Sequence, residues 1–475
     1  MSNPPSSSVV IAGGGPAGLT ACYQLAKAGM PAMVLEREQI LGGISRTDTY
    51  KGNRFDIGGH RFFTKSREVD DLWTEILGDD MLERPRLSRI YYRRRFFDYP
   101  LKPANVVRNL GLLTALACIG SYARWRLFPY REERNLEQWV TNRFGKRLFE
   151  MFFKTYTEKV WGIPCTELSA DWAAQRIKGL SLTEAIRNAL FRKPGETRVQ
   201  TLIDRFRYPR LGPGMMWERA AELAEKRGQE VVLDREVTEV HHDGKNVRAV
   251  VARDSEATPL EYPCAHFVSS LALMDLVEAM RPAAPDAVRT AARGLHYRDF
   301  LTVGLIVEGS DLFPDNWIYI HAPEVRLGRV QNFGNWTPEM VAEPGTSCLG
   351  LEYFVFEGDN LWRAADSSLV ELGAEECERI GLVSRKDVRD GVVIRIRKAY
   401  PVYDPGYAER VATVREWLAT LGNLQCVGRN GQHHYNNADH SMLTSMLAAR
   451  NILGEHHDIW SVNVDREYHE EGRGG

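Results

Sequence analysis

Val9-Val10-Ile11-Ala12-Gly13-Gly14-Gly15-Pro16-Ala17-Gly18, followed by Val34-Leu35-Glu36, decides the fold. The apolar run predicts a strand and Gly13-x-Gly15-x-x-Gly18 a tight loop. Ala17 to Lys27 then reads as a helix stopped at Gly29, and Val34-Leu35 as a second strand ending in an acid. Each part has a physical task. Gly13 permits the turn, Gly15 lets the backbone approach a pyrophosphate, and Gly18 lets helix and strand pack closely. The helix N-terminus offers unpaired N–H groups and a positive dipole end to phosphates. Glu36 stands where a carboxylate accepts hydrogen bonds from a ribose 2′-hydroxyl and repels a 2′-phosphate. Together they predict a dinucleotide-binding βαβ unit.

The chain has 475 residues, room for two or three domains. Its 44% hydrophobic and 26% charged residues are ordinary for a globular protein, and a formal net charge of −2 argues against nucleic acid as a partner. Seven scattered cysteines form no C-x-x-C pair and no metal-ligand pattern, which predicts a reducing, cytoplasmic setting and no metal. Met1 to Ser8 has neither a basic nor an apolar segment of the signal-peptide kind, so an unstructured lead-in is expected.

Further along, residues 100–190 read as mainly helical. Leu136, Trp139, Val140, Phe144, Leu148, Phe152 and Tyr156 follow the helical period, with Gly145 as a break. Leu110 to Gly120 is apolar but too short to span a bilayer; a buried helix is expected, with membrane-surface contact as the alternative. Tyr91 to Phe97 predicts a hairpin whose arginines stand in solvent or draw in a diphosphate. Strands are expected at 230–233, 237–240 and 247–251, the last two joined by a turn at Asp243-Gly244-Lys245-Asn246. More strands are expected at 300–307, 317–320, 349–356 and 392–397. A long last helix begins near Asp439, the expected N-cap, and the tail after Gly454 should fray. No second G-x-G-x-x-G follows a strand, because Gly212-Pro213-Gly214 has the wrong spacing. A dedicated nicotinamide domain is therefore not expected.

Several segments resemble the flavin-containing amine oxidase and protoporphyrinogen oxidase superfamily, and within it the UDP-galactopyranose mutase branch. They are Leu41-Gly42-Gly43-Ile44-Ser45-Arg46, Phe55-Asp56-Ile57-Gly58-Gly59-His60-Arg61-Phe62-Phe63-Thr64, and Tyr99-Pro100-Leu101-Lys102-Pro103. Tyr156-Thr157-Glu158-Lys159-Val160-Trp161-Gly162 is similar to the mutases' sugar-binding segment. Val427-Gly428-Arg429-Asn430-Gly431 with Tyr435-Asn436-Asn437-Ala438-Asp439 is similar to their closing motif, with Asn436 in place of one tyrosine. The mutases' mobile-loop arginine falls near Gln175-Arg176-Ile177-Lys178-Gly179-Leu180-Ser181.

The resemblance implies an α/β fold: a Rossmann-like FAD-binding domain interleaved with a mixed-sheet substrate domain and a helical insertion. The FAD-binding segments would be 1–60, 201–290 and 401–460. The substrate domain would take 61–200 and 291–400, leaving 461–475 as a tail. It implies FAD as cofactor, contacted by Gly13, Gly15, Ala17, Gly18, Glu36, Arg37, Gly43, Ile44, Ser45, Gly58, Gly59, His60, Val237, Gly428, Arg429, Asn437 and Ser441. It also implies catalytic roles for His60, Trp161, Arg429 and Tyr435. His60 would contact the flavin as a neutral imidazole. Trp161, with open space beside it at Gly162, would stack on a sugar. Arg429 would stabilise the anionic reduced flavin or grip a phosphate, the alternative being a solvent-exposed arginine at a strand end.

Three functions follow. In the first, reduced flavin N5 is a nucleophile on a nucleotide-linked sugar, as in the mutases. In the second, the chain is an FAD oxidoreductase of the amine, alcohol or protoporphyrinogen oxidase kind. The third is a non-catalytic binder, against which the intact glycine fingerprint argues. The expected partner is a small molecule, a nucleotide sugar on the first reading, with no stable membrane insertion and a homodimer left open.

Overall fold

The computed structural model describes residues 9–170 and 205–463. Val9–Ala12 is apolar on both sides because it lies in the middle of a five-stranded parallel sheet and is buried throughout. Across that sheet run Leu424–Cys426, His266–Ser269, Val9–Ala12, Ala32–Leu35 and Glu230–Val232. The helices Pro16–Lys27, Gly214–Glu225 and Ala438–Ile452 share the apolar core on one face. The other face packs against a small sheet that contains the hairpin Glu236–His242 and Val247–Arg253, turned at Gly244 as expected.

A second, seven-stranded sheet carries the other half of the molecule. In order it runs Val388–Pro401, Tyr297–Glu308, Thr346–Val355, Arg329–Asn332, Trp317–Ile320, Ser88–Tyr92 and Arg95–Asp98. Its pairings are antiparallel except for Trp317–Ile320 beside Ser88–Tyr92. One face is sealed by the helix Asp366–Arg379. Leu136–Phe144 ends at Gly145, the expected break, where φ is +80°. A π turn, Glu150–Lys154, then leads into the helix Thr155–Trp161. Residues 171–190 of the expected helical stretch lie outside the described residues.

Three local expectations are corrected. The last helix is capped by Asn437, not Asp439: the Asn437 side chain accepts from the His440 N–H while His440 Nδ1 accepts from the Asn437 N–H, a closed pair of caps. Asp439 sits inside the first turn, buried. The tail does not fray at Gly454: Ile459 is buried in the core and its carbonyl accepts from Gln432 Nε2 at 3.0 Å. Gly212 and Gly214 pack where a Cβ would meet Thr47, and the Gly214 N–H donates to Thr47 Oγ1 at 3.0 Å. Most consequential, the apolar stretch Leu110 to Gly120 is not buried. It spans the end of Pro103–Leu110 and the start of Leu112–Leu127, where Leu112, Leu113, Leu116 and Ile119 are exposed and only Ala115 and Cys118 are covered. Apolar composition favours burial, but it does not supply the neighbour that would do the covering.

Candidate active site

The loop after Val9–Ala12 is built almost wholly of backbone. Gly13 adopts φ +103° and its N–H donates to Leu35 O at 2.9 Å, tying the loop to the neighbouring strand. A Cβ on Gly18 would overlap the Gly13 carbonyl, the close helix–strand approach that its position implied. Gly15 differs. A Cβ there would meet nothing nearer than Gly43 Cα at 3.7 Å. The second glycine pair is brought to this spot by Gly42 N–H donating to Gly14 O at 2.8 Å, and Gly43–Ser45 forms a short 3-10 turn. Between the two glycine loops the chain keeps side chains out, at the N-terminal end of Pro16–Lys27.

Glu36 ends the second strand, buried. Its Oε2 accepts from Gly14 N–H at 2.5 Å and its Oε1 from Glu38 N–H at 2.9 Å. Burial pushes its pKa up while those two N–H bonds pull it down. Each oxygen retains a lone pair for a ribose hydroxyl, so the carboxylate both props the loop and stays available. Arg37 points away, half exposed and paired with Glu38 at 3.2 Å. Val237 is buried in the core beneath Leu35, its strand placed by Arg235 N–H donating to Glu36 O at 2.8 Å. Gly428, at φ +79°, closes against Ala17, and its N–H donates to Thr444 Oγ1 at 3.0 Å. Ser441 is buried one turn into the last helix, its carbonyl accepting from Thr444 and Ser445.

A second cluster lies around Gly58, Gly59 and His60. Gly58 adopts φ +83°, and a Cβ would stand 3.6 Å from Arg329 Nη2. Beside Gly59 is Gln331, whose Nε2 donates to Glu352 Oε1 at 2.7 Å and whose buried Oε1 has no partner among the described residues. Arg329 pairs with Glu352 through Nε at 2.7 Å and Nη2 at 2.5 Å. His60 is neutral: burial, then the charges of Arg429 and Arg329, push its pKa down to about 4.

Arg429 is no strand-end arginine in solvent. It sits in a short helical turn, donates from Nε to Asn436 O at 2.8 Å and from Nη1 to Ala399 O at 2.9 Å. Its guanidinium lies 4.7 Å from the Tyr435 ring centre and 5.4 Å from that of Tyr400. Tyr400 and Tyr435 stack at 5.6 Å. Tyr156 stacks on His321 at 4.9 Å and meets Tyr319 edge-on at 5.4 Å. Tyr156, Tyr319, Tyr400, Tyr435, Arg329, Arg429 and His60 lie mostly within the protein, each keeping part of its surface accessible.

Trp161 is placed otherwise than its sequence context suggested. It is 1% exposed, packed against Tyr400 and Tyr435 at 6.2 and 6.1 Å. The open space expected at Gly162 is filled by Arg298 and Phe356, and Gly162 is instead the left-handed cap of its helix. Arg298 is buried, donates to Val160 O and Phe354 O, and has its pKa pushed down by burial to about 10. Trp161 therefore supports the tyrosine pair and presents no free face.

The model of the flavin-containing amine oxidoreductase family matches residues 16–420. The chain belongs to that family. This flavoenzyme is similar in structure to reduced UDP-galactopyranose mutase, with 22% identity, 97% of this chain and 98% of that one covered, and a TM-score of 0.83. It is similar to a protein described as a putative protoporphyrinogen oxidase from Exiguobacterium sp. 255-15, with 18% identity over 96% and 100% of the chains and a TM-score of 0.69. Cyclohexylamine oxidase from Brevibacterium oxydans gives 14% identity, 94% and 99% coverage, and a TM-score of 0.63. The expected fold class, family and FAD cofactor are borne out.

The residues fit FAD on the structure's own terms. The space kept free at Gly15 and Gly43 suits a pyrophosphate, and the orphaned Gln331 Oε1 beside Gly59 suits a ring N–H donor. Tyr156 opens the segment that resembles the mutases' sugar-binding one, whereas Arg329, Glu352, Tyr319 and Tyr400 also line this candidate site and were not singled out from sequence. Glu352 alone left a trace, a single acid in the otherwise uncharged buried run Thr346–Val355, where burial demands a partner. Arg329 carries no local motif. Residues 175–181, the region where the mutases carry their mobile-loop arginine, lie outside the described residues.

Proposed function

We propose that this FAD enzyme acts on a nucleotide-linked sugar, as an isomerase of the mutase kind. The observation that carries this reading is the charge beside His60. Arg329 is offset by Glu352, whereas Arg429 is held by two neutral carbonyls and pairs with no carboxylate among the described residues. The cluster keeps a net positive charge. An alkylamine is itself a cation near neutral pH and is repelled there; a diphosphate is attracted, and guanidinium forks match its oxygens.

Reduced FAD, when bound, supplies a nucleophile for the anomeric carbon of the sugar. Arg429 binds the substrate's anionic group or offsets negative charge at the cofactor. The hydroxyls of Tyr156 and Tyr400, kept protonated by burial, donate hydrogen bonds to substrate oxygens. His60, neutral at working pH, offers a hydrogen bond without adding charge. Trp161 is a positioning residue that holds Tyr400 and Tyr435. Seven buried free thiols support a reducing, cytoplasmic setting.

The second reading, an FAD oxidoreductase, is favoured by the family's own chemistry and by the oxidases among the similar structures. One assay separates the two. Purified enzyme is given UDP-galactopyranose, and other nucleotide sugars in parallel, with its flavin oxidised or dithionite-reduced, without oxygen. Turnover after reduction only, with substrate and product at one oxidation level, is expected. Turnover of an amine or alcohol by oxidised enzyme in air, with stoichiometric peroxide, assigns the oxidase instead.

A further inference from the structure

The helix Leu112–Leu127 turns an apolar side outward. Ala115, Cys118, Tyr122 and Trp125 form its inner side, while Leu112, Leu116, Ile119, Ala123 and Leu127 make one exposed stripe at helical spacing. Leu113 beside that stripe is 85% exposed, and Leu127 and Phe128 are 73% exposed. A helix apolar on every side is ordinarily covered on every side. Val107 extends the patch onto Pro103–Leu110, which meets its neighbour at a 119° bend.

Charge gathers at the same place. Between Arg86 and Arg131 nine arginines and Lys102 stand against one acid, Asp98, in a chain whose net charge is −2. Arg93, Arg94, Arg108, Arg124 and Arg126 are exposed and have no ion pair among the described residues. Arg95 donates to Asn109 O, which fixes the arginine turn against the helix Pro103–Leu110.

We propose that this patch docks the protein peripherally on an anionic lipid bilayer. Leu113, Leu116, Ile119, Leu127 and Phe128 enter the headgroup boundary, and the arginines meet lipid phosphates. A second copy of the chain fits poorly, because a two-fold contact would set this cationic region against itself. No single described helix is long and apolar enough to cross a membrane; on this proposal the bent pair Pro103–Leu110 and Leu112–Leu127 lies along the surface.

The test is co-sedimentation of the full-length flavin-loaded protein with phosphatidylcholine vesicles, with and without phosphatidylglycerol. Binding to the anionic vesicles, weakened by salt, is expected. Leu113→Glu with Leu116→Glu abolishes it. Arg124→Ala with Arg126→Ala weakens it about 25-fold, at roughly fivefold per arginine. Flavin absorbance and circular dichroism report that the variants remain folded, since every altered side chain is exposed. Protein left in the supernatant with both vesicle types overturns the proposal, as does undiminished binding by the Leu113→Glu, Leu116→Glu variant. A wild-type dimer by light scattering that this variant renders monomeric, without vesicle binding, assigns the patch to self-association and overturns it too.

Discussion

The glycine cradle and the arginine–tyrosine cluster are made of different material. The cradle is backbone: Gly13, Gly15, Gly18, Gly42 and Gly43 shape a space by having no side chains, with Glu36 as its one buried prop. The cluster is side chains, each held by a partner far away in sequence. Arg329 depends on Glu352, Arg429 on Ala399 and Asn436, and the Tyr400–Tyr435 pair on Trp161. A backbone site fails when something is added, and a side-chain site fails when something is removed.

Addition should have the largest effect. Gly15→Val places atoms in the space between the two glycine loops, where the nearest atom is Gly43 Cα at 3.7 Å, so the protein should fold and carry no FAD. Flavin absorbance of the purified variant, before and after added FAD, checks this. A variant that retained stoichiometric flavin would show that the cradle tolerates a side chain.

Removal in the cluster comes next. Glu352→Ala leaves the Arg329 guanidinium uncompensated, and breaking one side of a buried pair costs about 3–5 kcal/mol. Thermal denaturation should register it as a large drop in Tm. Glu352→Gln, which keeps the shape and one acceptor, should lose less.

Arg429→Ala acts on function more than on stability, because its acceptors are carbonyls at the site's edge. Charge-assisted hydrogen bonds of this kind are worth about 1.5–3 kcal/mol, so turnover should fall by roughly ten- to 150-fold with FAD retained. The same variant should lower the flavin midpoint potential, since a positive charge near the ring favours the reduced anion. An unchanged potential with unchanged turnover would detach Arg429 from the site.

The smallest effect is a pH response. His60 titrates near 4 instead of 6.5 because burial and the two arginines disfavour its cation. The unfolded chain thus takes the proton first, and His60's contribution to stability declines as pH falls from 6.5 towards 4. Imidazole NMR shifts of His60 should stay flat from pH 8 to pH 5. In Arg429→Ala the titration should move upward, which would show the electrostatic coupling within the cluster.

The cradle was legible because its geometry is local. Gly13, Gly15 and Gly18 act on one loop, and Glu36 follows within one βαβ unit, so spacing alone carries the meaning. The cluster was legible only in part. His60, Arg429 and Tyr435 stood in segments with a family resemblance, but Trp161 was given an open face that Arg298, Phe356 and the tyrosines fill. Arg329 and Glu352 lie on adjacent strands, 23 residues apart in sequence and in contact only once the sheet registers.

By itself the sequence determined the parallel sheet, the dinucleotide loop, the hairpin at Gly244 and the family, because strand burial, glycine freedom and helix period are short-range properties of the chain. Only the tertiary structure decided which arginine is neutralised and which keeps its charge, that Trp161 supports rather than binds, and that Leu112–Leu127 shows its apolar side to solvent. Those depend on what packs opposite a residue, and no residue carries that information in its own neighbourhood.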